Sequence, residues 1–181
     1  MRIVGGSFKG RRFSPPAKNW PTRPTTDFAK EALYNILVNR IDFEETKVLD
    51  LFGGSGNHCY ETISRGATDV TYVDKHYHCT QFVKKIAQEL DIEDHIKIIK
   101  NDVFKFIRSC SDTFDFIFCD PPYDLSNLSD IPDLIFENTL LKSDGILVLE
   151  HDQHNDFKDH LCFQEERKYG GTIFSFFSQS K

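Results

Sequence analysis

No stretch of the 181 residues is apolar for the roughly 18 positions that a membrane helix needs, so none is expected to span a bilayer. The opening Met1-Arg2-Ile3-Val4-Gly5-Gly6 is not followed by the apolar core of a secretion signal, which leads to the expectation of a cytoplasmic protein. The cysteines (Cys59, Cys79, Cys110, Cys119 and Cys162) are odd in number and contain no Cys-x-x-Cys pair. That pattern excludes a disulfide framework and a cysteine-based zinc site, and points to free thiols in a reducing compartment. His58, His76 and His78 lack the spacing of a metal cluster and read as surface residues or as supports behind a site. Internal repeats and low-complexity tracts are absent. So are the Gly-x-Gly-x-x-Gly of dinucleotide binding and the Gly-Lys-Ser/Thr of a phosphate-binding loop.

Acidic residues are missing from one place in particular. Residues 1–23 contain Arg2, Lys9, Arg11, Arg12, Lys18 and Arg23 and no Asp or Glu, although the whole chain carries a net charge of -6. A basic arm on an acidic body can follow a phosphate backbone while the body limits indiscriminate binding. Phe8, Phe13 and Trp20 are interleaved with these cations and offer rings on which bases can stack. A solvated basic terminus is the plain alternative.

What is present is an ordinary soluble composition, 39% apolar and 28% charged, long enough for one sizeable core. Gly5-Gly6 and Lys9-Gly10 suggest a short hairpin over 2–13, and Pro15, Pro16, Pro21 and Pro24 a stiff extended stretch after it. A helix is expected from Thr25 or Thr26 as N-cap, packing through Phe28, Ala32, Leu33, Ile36 and Leu37. Apolar runs at 47–51, 70–74, 96–99, 114–119 and 145–149 alternate with helical patterns at 56–65, 76–90, 103–109 and 129–139. Such runs, separated by crossover helices, indicate an α/β fold with a parallel sheet. Residues 161–168 and 172–178 flank Tyr169-Gly170-Gly171 and read as a terminal hairpin on the sheet edge.

Two of these runs open into chemically distinctive turns. The first leads into Asp50-Leu51-Phe52-Gly53-Gly54-Ser55-Gly56. Gly53, Gly54 and Gly56, with the small Ser55, let backbone N–H groups and a helix N-terminus approach a ligand. Asp50 can receive an ammonium, Asp74 the hydroxyls of a ribose and Asp102 an adenine amine, a set suited to an adenosyl cofactor. An Asp at one strand end is often only a helix cap, most of all Asp102; three around a glycine turn are harder to explain that way.

The fourth run opens into Asp120-Pro121-Pro122-Tyr123. An exocyclic amine of guanine or adenine is a poor nucleophile because its lone pair is delocalised into the ring. The Asp120 carboxylate and the Pro121 carbonyl can accept its two N–H bonds and direct the lone pair at a methyl donor. Pro121 and Pro122 stiffen the loop, and Tyr123 offers a ring against the base. Together the two turns describe an enzyme that methylates a nucleobase nitrogen.

With these residues in hand, the chain resembles the small bacterial methyltransferases that modify N2 of a guanine in small-subunit (16S) ribosomal RNA, the RsmD family. The resemblance runs through Arg2-Ile3-Val4-Gly5-Gly6, Gly10-Arg11-Arg12, Arg23-Pro24-Thr25, Glu31-Ala32-Leu33-Tyr34-Asn35-Ile36-Leu37, the glycine turn, Glu61, Ser64-Arg65-Gly66-Ala67, Asp120-Pro121-Pro122-Tyr123 and Tyr169-Gly170-Gly171-Thr172. It implies a Rossmann-like class I methyltransferase fold with a seven-stranded mixed sheet, S-adenosylmethionine as cofactor and no metal. It further implies a substrate within a partly assembled 30S particle and a monomeric enzyme. Residues 1–40 would form an RNA-contacting extension and 41–181 the methyltransferase domain. One segment departs from the family pattern: Asn57-His58-Cys59-Tyr60 stands where small and aliphatic residues are usual. The competing readings are a DNA adenine-N6 methyltransferase, for which the chain is short of a target-recognition domain, and a non-catalytic RNA-binding module.

Overall fold

The computed structural model of the protein describes residues 1–16 and 25–179. Lys18, Trp20, Pro21, Arg23 and Pro24, with the extended stretch expected there, lie outside the described residues. Seven strands form one sheet: β1 (Lys47–Leu51), β2 (Asp69–Asp74), β3 (Ile96–Lys100), β4 (Phe114–Cys119), β5 (Leu141–His151), β6 (Phe163–Tyr169) and β7 (Thr172–Phe177). The described helices are α1 (Asp27–Leu37), α2 (Asn57–Ser64), α3 (Tyr77–Leu90), α4 (Val103–Ser109) and α5 (Ile131–Glu137). Strand order is β3-β2-β1-β4-β5-β7-β6. The first five strands are parallel, and β7 and β6 add antiparallel to β5 and to each other. This is the class I methyltransferase arrangement, a mixed sheet ending in a hairpin.

The central strands are buried on both faces, which is why they read as unbroken apolar runs. One face carries α1, α2 and α3 through Leu33, Tyr34, Cys59, Tyr60, Ile63, Val83 and Ile86. The other carries α4 and α5 through Val103, Ile107, Ile131 and Ile135. Each fully buried Leu, Ile or Phe contributes about 1.5–3 kcal/mol relative to exposure. The central strands are thereby packed on both sides, and the loops at their C-terminal ends start from buried positions.

Two expectations need correction. The face of α1 turned to the core is Ala29, Lys30, Leu33, Tyr34 and Leu37, whereas Phe28 is 71% exposed. The helix is rotated because Lys30 is a core residue: its ammonium meets Glu61 at 3.2 Å, with both side chains fully buried. Strand β5 is longer than the apolar run 145–149, since polar Lys142, Ser143 and Asp144 continue the strand across a register shift opposite Phe114–Phe116. Residues 2–13 do fold back as a short antiparallel hairpin, with the bridge Arg2 to Arg12 and backbone bonds from Ile3 N–H to Arg11, Gly10 N–H to Ile3 and Phe13 N–H to Met1, but its two sides are too short to be regular strands.

That N-terminal loop is fastened to α2. The Val4 N–H donates to Glu61 Oε2 (2.9 Å) and the Ser64 hydroxyl to the Gly5 carbonyl (2.6 Å). Ser7 and Phe8 N–H groups donate to the carbonyl and hydroxyl of Ser64 (2.7 and 2.9 Å). Gly6 has φ of +73°, and a Cβ there would lie 1.7 Å from the Ser64 carbonyl oxygen. Glycine is what lets the loop lie so close.

Candidate active site

The expected site residues fall at the C-terminal ends of adjacent parallel strands. Asp50 lies in β1, Asp74 ends β2, Asp102 follows β3 and Asp120 follows β4. β1 sits between β2 and β4, where the direction of chain winding reverses. Open α/β sheets bind ligands at such a crevice.

Asp50 is 1% exposed. The Cys59 thiol donates to its Oδ2 at 3.0 Å, while Oδ1 is buried without a partner among the described residues. Burial pushes the Asp50 carboxyl up to about 7; the nearby Asp74 charge adds to the rise and the Cys59 hydrogen bond opposes it. The Cys59 thiol is in turn pushed well above its ordinary range by burial and by Asp50. A buried carboxylate oxygen left unpaired is costly, and a cationic group placed against it would relieve that cost.

The glycine turn is shaped as much by the aromatic rings behind it as by any ligand. A Cβ on Gly53 would lie 2.4 Å from the Tyr72 ring, and one on Gly56 2.7 Å from the Tyr60 hydroxyl. Tyr72 also donates to the Gly54 carbonyl at 2.8 Å. Asp74 pins the same turn, accepting from Gly54 N–H at Oδ2 (2.9 Å) and from His76 N–H at Oδ1 (2.7 Å). A carboxylate has about four acceptor positions, so two remain for a ligand. Ser55 is buried beside the turn. Asp102 caps α4, its Oδ1 accepting from Lys105 N–H at 3.0 Å.

The loop after β4 begins where the Asp120 N–H donates to the Leu51 carbonyl (3.2 Å), tying it to the end of β1. The Pro122 carbonyl accepts from Leu125 N–H (3.0 Å); that of Pro121 takes no backbone N–H among the described residues. Burial, then the charges of Glu150 and Asp50, hold the Asp120 carboxyl well above the usual carboxylate range. The Tyr123 ring is 36% exposed, and its hydroxyl donates to Glu150 Oε1 at 2.8 Å. Glu150, the next-to-last residue of β5, is 3% exposed and also accepts from the Thr25 hydroxyl at 2.7 Å.

Glu150 and Thr25 were not among the expected site residues. The signal for Glu150 was present: it follows the apolar run 145–149 just as Asp50, Asp74 and Asp120 occupy or follow theirs. Of the two readings open for His58, the structure excludes one. It is not a surface residue but stands in the core, stacked on Phe118 with ring centroids 3.6 Å apart. His76 is half-buried and His78 exposed.

Of the basic arm, Lys9, Arg11 and Arg12 are exposed and make no ion pair among the described residues. Arg2 differs from these in being ion-paired, its Nε 3.4 Å from Asp27 Oδ2 at the start of α1, with its side chain still partly exposed.

Comparison with known proteins fits this geometry. The family model described as "Conserved hypothetical protein 95" matches residues 1–178. "Putative rRNA methyltransferase YlbH" of Bacillus subtilis (strain 168) is 34% identical over 178 residues, 95% of each chain. "Ribosomal RNA small subunit methyltransferase D" of Haemophilus influenzae is 30% identical over 153 residues, 83% of this chain and 78% of that protein. Among solved structures, "Putative methyltransferase yhhF from Escherichia coli" superposes with a TM-score of 0.83 at 24% identity, covering 98% of this chain and 96% of that one. That last likeness bears on the fold, and the matches across almost the whole sequence bear on the family. The chain belongs to the Conserved hypothetical protein 95 family, the RsmD-like methyltransferases.

Proposed function

We propose that the protein is an S-adenosylmethionine-dependent methyltransferase acting on the exocyclic N2 amine of a guanine in small-subunit ribosomal RNA. The observation that carries this reading is the juxtaposition across β1 and β4: a buried Asp50 oxygen without a partner among the described residues on one side, the Asp120–Tyr123 loop tied to Leu51 on the other. The residues present fit the cofactor. Asp50 Oδ1 would take its ammonium, the free acceptor positions of Asp74 its ribose hydroxyls, and Asp102 its adenine amine, with the backbone of Gly53, Gly54, Ser55 and Gly56 alongside. When bound, the cofactor supplies a methyl group activated on a positively charged sulfur.

The rest of the chemistry belongs to the chain. Asp120 and the Pro121 carbonyl accept the two N–H bonds of the target amine, orient its lone pair and stabilise the positive charge that grows on nitrogen. No strong base is required, since the proton becomes acidic once nitrogen has gained the methyl group. Tyr123 stacks on the extruded base. Lys9, Arg11 and Arg12 hold the RNA backbone, with Lys18 and Arg23 of the same segment; Arg2 anchors the loop that presents them. The enzyme would act as a monomer on RNA within a partly assembled 30S particle, residues 1–40 contacting RNA and 41–181 carrying out transfer.

The test is incubation with labelled S-adenosylmethionine and small-subunit rRNA lacking the mark, followed by nuclease digestion. N2-methylguanosine is the expected product. Label in DNA as N6-methyladenine, with none in rRNA, would replace this substrate with the DNA one, and S-adenosylhomocysteine failing to bind at millimolar concentration would remove the cofactor assignment.

A further inference from the structure

A continuous run of buried polar groups connects helix α1 to the catalytic loop. The Tyr34 hydroxyl lies 3.3 Å from His58 Nδ1 and also 3.3 Å from the His58 carbonyl. His58 Nε2 lies 3.4 Å from Thr25 Oγ1. Thr25 donates to Glu150 Oε2 and Tyr123 to Glu150 Oε1. Thr25, Tyr34, His58 and Glu150 are all buried.

The proton arrangement follows from valence. A hydroxyl has one hydrogen, and Thr25 gives its own to the carboxylate, so Oγ1 can only accept from His58. The His58 proton is therefore on Nε2, and the unprotonated Nδ1 shares the single Tyr34 hydrogen with the His58 carbonyl, which also accepts it. Burial, reinforced by the Lys30 charge, keeps the ring neutral, as a single ring proton requires. From the His58 ring onward the donors point one way, through Thr25 to Glu150, where the Tyr123 hydroxyl also ends. Aligned donors strengthen one another in a low-dielectric interior.

We propose that Glu150 is a positioning residue for methyl transfer: through the Tyr123 hydroxyl it fixes the ring on which the target base stacks, and the donor chain Tyr34–His58–Thr25 fixes Glu150 in turn. This deepens the methyltransferase reading and rests on it for its activity readout. It also gives a role to His58, part of the segment where this chain departs from the family pattern. A small aliphatic side chain there would leave Thr25 Oγ1 without its donor.

The chain has a signature independent of substrate. The Tyr123 hydroxyl already has the Thr172 side chain as a second hydrogen-bond partner, so in Glu150→Gln the carbonyl oxygen keeps the Tyr123 hydrogen and the amide donates to Thr25. Thr25 must then give its hydrogen to His58 Nε2, and the ring proton moves to Nδ1. Nitrogen-15 NMR of the histidine rings at pH 8 should find His58 as the Nε2–H tautomer in the wild type and the Nδ1–H tautomer in Glu150→Gln. A wild-type ring protonated on Nδ1, or the same tautomer in both proteins, would overturn the proposal.

The second arm reads methyl transfer to unmodified small-subunit rRNA. Tyr123→Phe and Glu150→Ala should each lower kcat/KM by roughly tenfold, the scale of one hydrogen bond to a charged acceptor. The double variant should be no worse than either, Glu150→Gln should recover to within about threefold, and S-adenosylhomocysteine affinity should not change. Losses that multiply to about a hundredfold, or wild-type turnover by Tyr123→Phe, would refute the link. Tyr123→Phe changes only a half-exposed loop residue, so the test survives a Glu150→Ala protein that does not fold. If the wild type leaves rRNA unlabelled, the substrate reading falls and the tautomer measurement still decides the chain.

Discussion

Asp50→Asn should make the cofactor-free protein more stable at alkaline pH and less able to bind its ligand. Its carboxyl titrates near 7 when folded, against an ordinary value of 3.8. The folded state thus holds a proton that the unfolded chain has already released, so this group destabilises the fold progressively as pH rises from about 4 to 7. At 1.36 kcal/mol per pH unit the full penalty is about 4 kcal/mol above pH 7. Asparagine removes the ionisation but leaves an amide where Oδ1 had no partner among the described residues, at a cost of about 1–3 kcal/mol. The balance is a variant about 1–3 kcal/mol more stable than wild type at pH 8 and less stable than it at pH 4.5. Urea unfolding followed by far-UV circular dichroism at several pH values measures this difference directly. Titrations of other groups largely cancel between the two proteins. Stability curves that run parallel from pH 4.5 to 8 would show that Asp50 ionises normally and would remove the argument for an unrelieved buried charge. The same logic makes S-adenosylhomocysteine affinity rise with pH through 7 in the wild type and fall sharply in Asp50→Asn.

Asp120→Ala should leave S-adenosylhomocysteine binding nearly intact, by calorimetry, and lower methyl transfer at least about tenfold, because the lost acceptor matters chiefly at the reacting amine. Neutralising Arg11 and Arg12, both exposed and without ion pairs among the described residues, should weaken rRNA binding and flatten its log–log salt dependence by up to about 2, with cofactor-analogue affinity unchanged; an unaltered slope would leave them as solvated surface. Lys30→Met should destabilise the fold by about 3–5 kcal/mol in denaturant unfolding, since it strips a partner from the fully buried Glu61. A cost below about 1 kcal/mol would mean that Arg65, 2.9 Å from Glu61 Oε1, is counter-charge enough.

The parallel strands were legible because burial on both faces leaves a continuous apolar signature, and the acids at their ends because polar residues interrupt those runs. The terminal hairpin was legible from its Gly170-Gly171 turn. Lys30 was not, since helical periodicity assigns a lysine to solvent unless its partner is known, and Glu61 lies 31 positions later in another element. Thr25 and Glu150 are 125 positions apart, and no local pattern announces a hydrogen bond between a helix's leading residue and the end of a strand.

The N-terminal motif shows how local pattern and tertiary role diverge. Arg2-Ile3-Val4-Gly5-Gly6 and Glu61…Ser64-Arg65 read as two separate signatures, the first as part of an RNA-contacting arm. In three dimensions they are two halves of one joint: Glu61 receives Val4 N–H, Ser64 donates to the Gly5 carbonyl, and Gly6 is glycine because the Ser64 carbonyl leaves no room for a side chain. Lys30 closes the joint from α1 by donating to the Arg2 carbonyl at 2.7 Å. Its residue types therefore answer to packing and buried charge. Among the described residues, the cations of this segment left without an ion pair, Lys9, Arg11 and Arg12, lie beyond the joint on the loop it holds. The division of labour within a single short segment is thus set by which side chains α2 and α1 have already claimed.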